Sequence, residues 1–513
     1  MAGLSRRNLL GPLTREGVVS DPDARRLLWQ IIIVALIVKI AFGIFLPMGA
    51  DEAYATAVAR EFSISFFDHP PISFWLPVIF AKLTGIEHPM IYRAPFLLIG
   101  VGTTLVLFLI GKEVSSNRAG LWTALLFSTS PFMLLSGSLF VVPDGPLYLA
   151  TATAALFLVR IAKLNRDAPL QYWLFAGGAL ALALASKYHA AWFPVAILIY
   201  VILTPKARHW LVRPGLWLGG GIGLIGLLPV LIWNANHDWA SFAFHSARAS
   251  GGFSVAIFGV TFALQAIFLL PSGMFAAFMG LGMALKKRGG SPEFLLALIA
   301  LGPILIFNYI YLTSGVTFAH WTMPGWIFAL PLAGVWLDKS SVMRRAKFLG
   351  WTKILSLAFL VPITVLVIQA NTGVLTRYIY KTPPSWDNTL VLSSLRGLKP
   401  ALVKRGLWAS TDVIMTNGWI PGGRIDTALA SEKPMRIYKG IGAHHFAYIS
   451  DAKATGRGLF MDISLVSKAD MTGQTLLARA RAIDPAARLL APVILPRGGQ
   501  DYVAISMVAL TVR

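Results

Sequence analysis

Hydrophobic and polar positions along this chain come in blocks, without the short alternation of a soluble fold. Apolar stretches of about twenty residues, the length that crosses a hydrocarbon layer, recur near residues 27–48, 91–111, 119–138, 145–162, 171–186, 190–204, 215–234, 255–285, 292–313, 322–338 and 351–370. The two short blocks at 171–186 and 190–204 also fit one re-entrant pair. The pattern predicts an α-helical polytopic membrane protein with about eleven transmembrane helices, give or take two. The first block is too long for a signal-peptide core and no small-x-small cleavage site follows it, so it reads as an uncleaved anchor. "PISFWLPVIFAKLTG" is apolar but only about fifteen residues long, and reads as an interfacial helix with Trp75 at headgroup depth.

After residue 370 the blocks stop. "DVIMTN", "HFAYIS", "GLFMDIS" and "YVAISMVALTV" read as strands, and "TGQTLLARARAI" reads as a helix. The expected organisation is a cytoplasmic N-terminal segment over 1–26 and a transmembrane domain over 27–370, with a first outer loop at about 49–90. A small extracytoplasmic α/β domain over 371–513 completes it. No internal repeat or low-complexity tract is present.

Composition agrees with the blocks. The chain of 513 residues is 56% hydrophobic and 13% charged, where a soluble protein carries roughly 25% charged residues. Cysteine is absent, which excludes disulfides and thiolate metal sites. The net charge of +22 would suit a nucleic-acid binder. The basic residues punctuate apolar runs instead of forming one stripe, so nucleic acid is excluded as a partner and the lipid bilayer takes its place.

The basic residues also set the orientation. With the N-terminus in the cytoplasm, the loops on that side hold 21 Lys and Arg, among them Arg6, Arg7, Lys112, Arg118, Arg160, Lys163, Arg288, Arg344, Arg345 and Lys347. The opposite loops before residue 371 hold five: Arg60, Lys82, Arg93, Lys187 and Arg248.

The outer loops concentrate chemistry-bearing side chains. "GADEAYATAVAR" follows the first span and opens with Asp51 and Glu52, beside Tyr54. The helical spacing after Asp51 makes an N-cap its bland reading; a cap does not explain a second acid beside it. "FFDHPP" brings Asp68 and His69 ahead of two prolines, which also suits a rigid turn. "VVPDGP" places Asp144 at the outer end of a span. "SKYHA" supplies Lys187, Tyr188 and His189. "WNANHDWASFAFHSARAS" supplies His237, Asp238, His245 and Arg248. "FAHWTMPGW" supplies His320 and Trp321, the latter explained by an interfacial aromatic belt alone. Ionisable groups at the outer ends of several spans are what a cavity opening at that surface would need. In it, Lys187 and Arg248 would be phosphate anchors.

In order, "DEAYA", "FFDHPP", "PDGPLYLA", "SKYHA", "WNANHDWASF" and "HWTMPGW" resemble the GT-C membrane glycosyltransferases. The similarity is to the bacterial branch of the dolichyl-phosphate-mannose–protein mannosyltransferases, which includes the aminoarabinose transferase of lipid A and the rhizobial lipopolysaccharide galacturonosyl transferases. The resemblance spans about residues 27–370. It implies an inverting transfer from a polyprenyl-phosphate-linked sugar to an acceptor hydroxyl on the outer face of the inner membrane, the acceptor being a glycolipid, a glycan or a protein. An envelope glycolipid such as lipid A or lipopolysaccharide core is preferred by analogy.

Carried onto this sequence, the resemblance makes Asp51, Glu52 and Asp144 the catalytic candidates, with Asp51 as base. Asp68, His69, Lys187, Arg248, His320 and Tyr54 become the substrate-binding candidates. His69 stands where the aminoarabinose branch has lysine, so neither phosphate binding at this position nor aminoarabinose as the sugar follows. The resemblance fixes no cofactor. A divalent metal is the one open option, with Asp51, Asp68, His69 and His320 as donors, and no ligand spacing supports it. A lipid-linked sugar flippase or transporter and a non-catalytic envelope scaffold are the competing readings. Transporters usually show repeat symmetry.

Overall fold

The structure, a computed structural model, describes residues 10–247, 252–287, 289–314, 318–379, 388–438 and 441–513. Arg248, and Arg6, Arg7 and Arg288 of the charge tally, lie outside the described residues. The chain is mainly helical and ends in a sheet. Its principal helices in order are α1 (Asp21–Phe45), α2 (Ala50–Val58), α3 (Ile72–Thr84), α4 (Pro89–Val114), α5 (Asp144–Leu164), α6 (Leu170–Leu184), α7 (Val255–Leu269), α8 (Pro271–Lys286), α9 (Pro292–Ser314), α10 (Met323–Asp338), α11 (Val342–Thr372), α12 (Trp419–Ala428) and α13 (Ala469–Arg481). Two compact units arise, each from separate stretches of chain: 1–40, 64–73 and 94–360 in one, 41–63, 74–93 and 361–513 in the other.

Among the described residues, five helices are long and apolar enough to cross a membrane: α1, α4, α5, α9 and α11. Counting two bent pairs as one span each gives seven. By this measure of length and composition the count stays below the expected eleven, and the difference has local causes. Segment 119–138 breaks at Ser130 and Pro131 into helices Asn117–Thr129 and Pro131–Leu135. Segment 255–285 turns by 98° between α7 and α8, where Leu270 adopts φ 62° ahead of Pro271. Proline lacks the N–H that would continue the helix and its ring clashes with the preceding turn. Segment 215–234 bends by 44°. The blocks at 171–186 and 190–204 fold as short apolar helices.

In the first unit, small residues bring helices together where lipid gives no hydrophobic drive for association. A Cβ on Gly280 of α8 would stand 2.4 Å from the Leu332 backbone in α10. Trp122, Tyr148, Phe127 and Trp326 are fully enclosed, and Trp326 donates its indole N–H to Gln265 Oε1 at 2.9 Å. One end of this unit gathers ion pairs: Lys112 with Asp21, Arg118 with Asp338, Arg160 and Lys163 with Glu113, and Lys287 with Glu293. Asp144 starts α5 and Lys163 lies in its last turn. At 1.5 Å per residue they are roughly 30 Å apart, so Asp144 belongs to the other end.

The second unit is built on a five-stranded sheet. Its strands are β1 (Val413–Thr416), β2 (Met435–Ile437), β3 (Gly456–Leu465), β4 (Arg488–Arg497) and β5 (Gln500–Val512), in the order β2-β1-β3-β5-β4. β1 is parallel to β2 and β3, and β5 is antiparallel to β3 and β4. Met415, Phe460, Leu476, Ala480 and Val508 form its core. Three of the expected strands appear, as β1, β3 and β5, and the expected helix is α13. The fourth, "HFAYIS", is not a strand: its first residues close a 3₁₀ turn over Ile441–Ala447. There His444 has φ 50° and the His445 N–H donates to Tyr54 Oη at 2.9 Å, which removes the donor a ladder would use. This unit also takes in 41–63 and 74–93, most of the stretch read as the first outer loop.

Candidate active site

In the second unit, α2 carries the paired acids. Gly49 is the N-cap, so Asp51 is not the cap that its bland reading made it. Glu52 accepts the Gly49 N–H at 3.0 Å and is buried. Arg93, fully enclosed, grips it through Nε to Oε1 at 2.8 Å and Nη2 to Oε2 at 2.6 Å. Asp51, one residue earlier in the same first turn, is exposed. Carboxylates here are favoured by the helix dipole.

Tyr54 is 4% exposed. Its ring packs against Phe74, Trp419, His444 and Phe446, which gives it a docking role between α2 and the sheet region. Below α2, Arg60 pairs with Glu87 at 3.1 Å and with Asp426 at 3.4 Å. Burial raises the Asp426 carboxyl to about 6, against the pull of Arg60.

In the first unit, the structure draws Asp68, His69, Asp144, Lys187, His189 and His320 into one neighbourhood. Asp144, the first residue of α5, and Lys187, in extended backbone beyond α6, are 4% and 3% exposed. Lys187 Nζ donates to Asp144 Oδ1 at 2.9 Å, and Tyr148 Oη donates to the same oxygen at 3.3 Å. The His245 ring nitrogen Nε2 lies 2.8 Å from the Asp68 backbone oxygen. The His245 ring neighbours His69 at 6.1 Å and Tyr188 at 5.2 Å between centroids, and the Tyr188 and Ser241 hydroxyls are 2.9 Å apart.

Nδ1 of His69 and both ring nitrogens of His189 are buried without a hydrogen-bond partner among the described residues. Burial, then the charge of Lys187, lowers His69 to about 3 and His320 to about 4, and pushes His189 well below its ordinary value. All three imidazoles are therefore neutral near pH 7. The cluster offers one ammonium and several neutral ring nitrogens, with Asp144 holding Lys187 in place.

A divalent metal finds no such home. Among the described residues no group of three or more His, Asp or Glu is arranged to hold one, and Asp51, Asp68, His69 and His320 do not form a ligand set.

Sequence reasoning passed over one residue and gave another a different role. Lys39 lies inside α1 and is 2% exposed; a lone charge in an apolar run is itself a signal. Arg93 was counted as an outer-loop cation, although it is the partner of Glu52. One cavity, of about 380 Å³, is lined by Arg60, Lys82, Glu87 and Tyr92 among others; another lies between α8, α10 and α11. Neither includes the Lys187 cluster.

Residues 68–233 match the family of dolichyl-phosphate-mannose-protein mannosyltransferases. No curated protein matches the chain in sequence. The crystal structure of ArnT from Cupriavidus metallidurans bound to undecaprenyl phosphate is similar with a TM-score of 0.63 and 15% identity, over 93% of this chain and 97% of that one. The apo ArnT structure gives 0.63 and 16%, over 94% and 98%. The likeness to ArnT is one of fold.

Proposed function

We propose that this protein is a membrane glycosyltransferase of the GT-C type, which transfers a sugar from a polyprenyl-phosphate donor to an acceptor hydroxyl at the outer face of the bacterial inner membrane, with inversion at the anomeric carbon. The acceptor is an envelope glycolipid such as lipid A or lipopolysaccharide core. Asp51 takes the proton of the acceptor hydroxyl as that oxygen bonds to the anomeric carbon. The bond from that carbon to the donor phosphate breaks, and polyprenyl phosphate leaves with the electron pair. Positioned proton transfer of this kind contributes roughly 10²–10⁴-fold, and a fixed cation stabilises charge on the leaving phosphate.

The observation that carries the reading is the buried Lys187 ammonium, held by Asp144 in the neighbourhood of His69 and His189, whose Nδ1 and whose two ring nitrogens, respectively, have no hydrogen-bond partner among the described residues. A phosphate oxygen would take up donors of that kind, and neutral His69 and His189 would serve as hydrogen-bond donors, not as counter-charges. Glu52 is kept out of the chemistry by Arg93 and acts on the base only by holding its helix. ArnT with undecaprenyl phosphate bound supports a lipid phosphate as the donor carrier.

Mass spectrometry of the lipid and glycan fractions of a deletion strain tests the reading. A hexose, uronic acid or amino sugar missing from an envelope glycolipid, and restored by the wild-type gene but not by Asp51→Asn, is the expected result. Unaltered fractions would remove it.

A further inference from the structure

At the end of the first unit remote from the Lys187 cluster, a cavity of about 610 Å³ opens between α8, α10 and α11. Trp336, on its wall, lies near the C-terminal end of α10, while His320 precedes the N-terminal end. Thirteen helical residues from Met323 to Trp336 cover about 20 Å, so the cavity opens toward the opposite leaflet. Its lining is apolar and aromatic apart from Ser272 and, at one edge, Arg344 and Lys347.

The sequence run "MRRAKF" at the start of α11 divides its cations between two jobs. Arg345 is 5% exposed and donates to the backbone oxygens of Ser340 at 2.6 Å, Arg15 at 2.9 Å and Asp338 at 3.1 Å. It is a structural clamp. Arg344 and Lys347 are exposed, and no carboxylate among the described residues pairs with either. Arg344 rests over the Trp336 ring at 5.9 Å.

The wall also has a direction. Arg344, Lys347, Trp351 and Leu355 follow one another at helical spacing, so they form one stripe on one face of α11. Over about 16 Å that stripe passes from cations through an indole to an aliphatic side chain. Phe275 and Met279 of α8 face it across the cavity, and both are exposed. A cation pair at the membrane edge, an interfacial indole below it and a greasy trough further in follow the order of phosphate, glycerol backbone and acyl chain in a phospholipid.

We propose that this cavity binds an anionic glycerophospholipid of the bilayer, its phosphate on Arg344 and Lys347 and one acyl chain along Trp351, Leu355, Phe275 and Met279. The site is separate from the Lys187 cluster, at the other end of the first unit.

The test uses the full chain reconstituted into vesicles of equal phosphatidylglycerol and phosphatidylcholine, followed by native mass spectrometry of retained lipid. Wild type should keep phosphatidylglycerol in preference. The double variant Arg344→Gln, Lys347→Gln should lose about fivefold for each cation, the factor that about 1 kcal/mol per basic residue corresponds to. Lys353→Gln, a neighbouring exposed cation that does not line the cavity, should keep the preference, and Trp351→Glu should abolish it. Equal retention of the two lipids by wild type, or an unchanged preference in the double variant, overturns the proposal. Displacement of phosphatidylglycerol by an equivalent of undecaprenyl phosphate also overturns it and gives the cavity to the substrate lipid.

Discussion

Arg93 meets Glu52 with two hydrogen bonds, at 2.6 and 2.8 Å, and spends its remaining donors on the carbonyls of Gly43, Leu46 and Pro47. One guanidinium thus ties the end of α1, the chain leading into α2 and the first turn of α2 into a single block. The two adjacent acids have different duties as a result: Glu52 is buried in this clamp, and Asp51 faces out.

That division predicts opposite phenotypes for neighbouring substitutions. Asp51→Asn should unfold at the wild-type temperature while transfer falls by about 10²–10⁴-fold. Glu52→Gln removes one partner of a buried pair, a change that costs about 3–5 kcal/mol, so its melting temperature in detergent should drop sharply. Thermal unfolding and a transfer assay on the same preparations check both. A stable, inactive Glu52→Gln beside an unstable Asp51→Asn would reverse the assignment.

Lys187 and Asp144 invite a second separation, between holding the fold and holding the donor. Lys187→Met leaves Asp144 buried with only the Tyr148 hydroxyl, and both stability and donor affinity should fall. Adding Asp144→Leu removes the stranded charge. Stability should then recover in part, because buried ion pairs are often replaceable by apolar residues. The donor KM should stay raised by at least about tenfold, the factor that about 1.4 kcal/mol of lost phosphate contact would give. A double variant with wild-type donor KM would show that Lys187 serves packing alone.

The blocks of apolar sequence made the membrane-helical architecture legible, because lipid forces backbone polar groups to be satisfied within each span. They did not reveal the breaks. Ser130–Pro131 and Leu270–Pro271 interrupt runs whose hydropathy is continuous, and average polarity carries no record of a bend. In the sheet domain, alternation found β1, β3 and β5. It misread "HFAYIS" because the contact between the His445 N–H and Tyr54 joins residues 391 positions apart. Lys187 and Asp144 were each legible as outer-face ionisable groups, but their pairing was not. Nor was the different fate of Asp51 and Glu52, since both sit in the same first turn and only Arg93 distinguishes them.

The contact of α12 with α2 gives a prediction about how Asp51 is held. A Cβ on Gly423 would stand 2.6 Å from the Tyr54 backbone nitrogen and 2.7 Å from its Cα, too close without a shift of one helix. Overpacking of this kind costs about 1–3 kcal/mol. Gly423→Ala should lower the melting temperature and reduce kcat more than it raises the donor KM, because the displaced helix is the one carrying Asp51. Tyr54→Phe removes the acceptor for the His445 N–H, worth about 1 kcal/mol, without displacing a helix, and should be milder on both measures. Equal effects on kcat and KM would mean that the contact does not position the base.

The histidine cluster sets a pH dependence whose sign is fixed. His69 and His320 are held to about 3 and 4, and His189 is shifted the same way, whereas an unfolded chain protonates histidine near 6.5. Between about pH 6.5 and 4 the unfolded state therefore binds more protons than the folded state, so stability falls as the pH is lowered through that window. Above 6.5 all three are neutral in both states and contribute no slope. Lys187 opposes protonation of each ring, while Asp68 favours it at His69 and Asp144 at His69 and His320. Melting temperatures in detergent from pH 7.5 to 5 should decline, and His69→Gln should flatten the decline by up to one proton's worth while leaving the value at pH 7.5 least affected. A flat profile in wild type, or an unchanged slope in the variant, would show that these rings are not the neutral, enclosed groups on which the phosphate site depends.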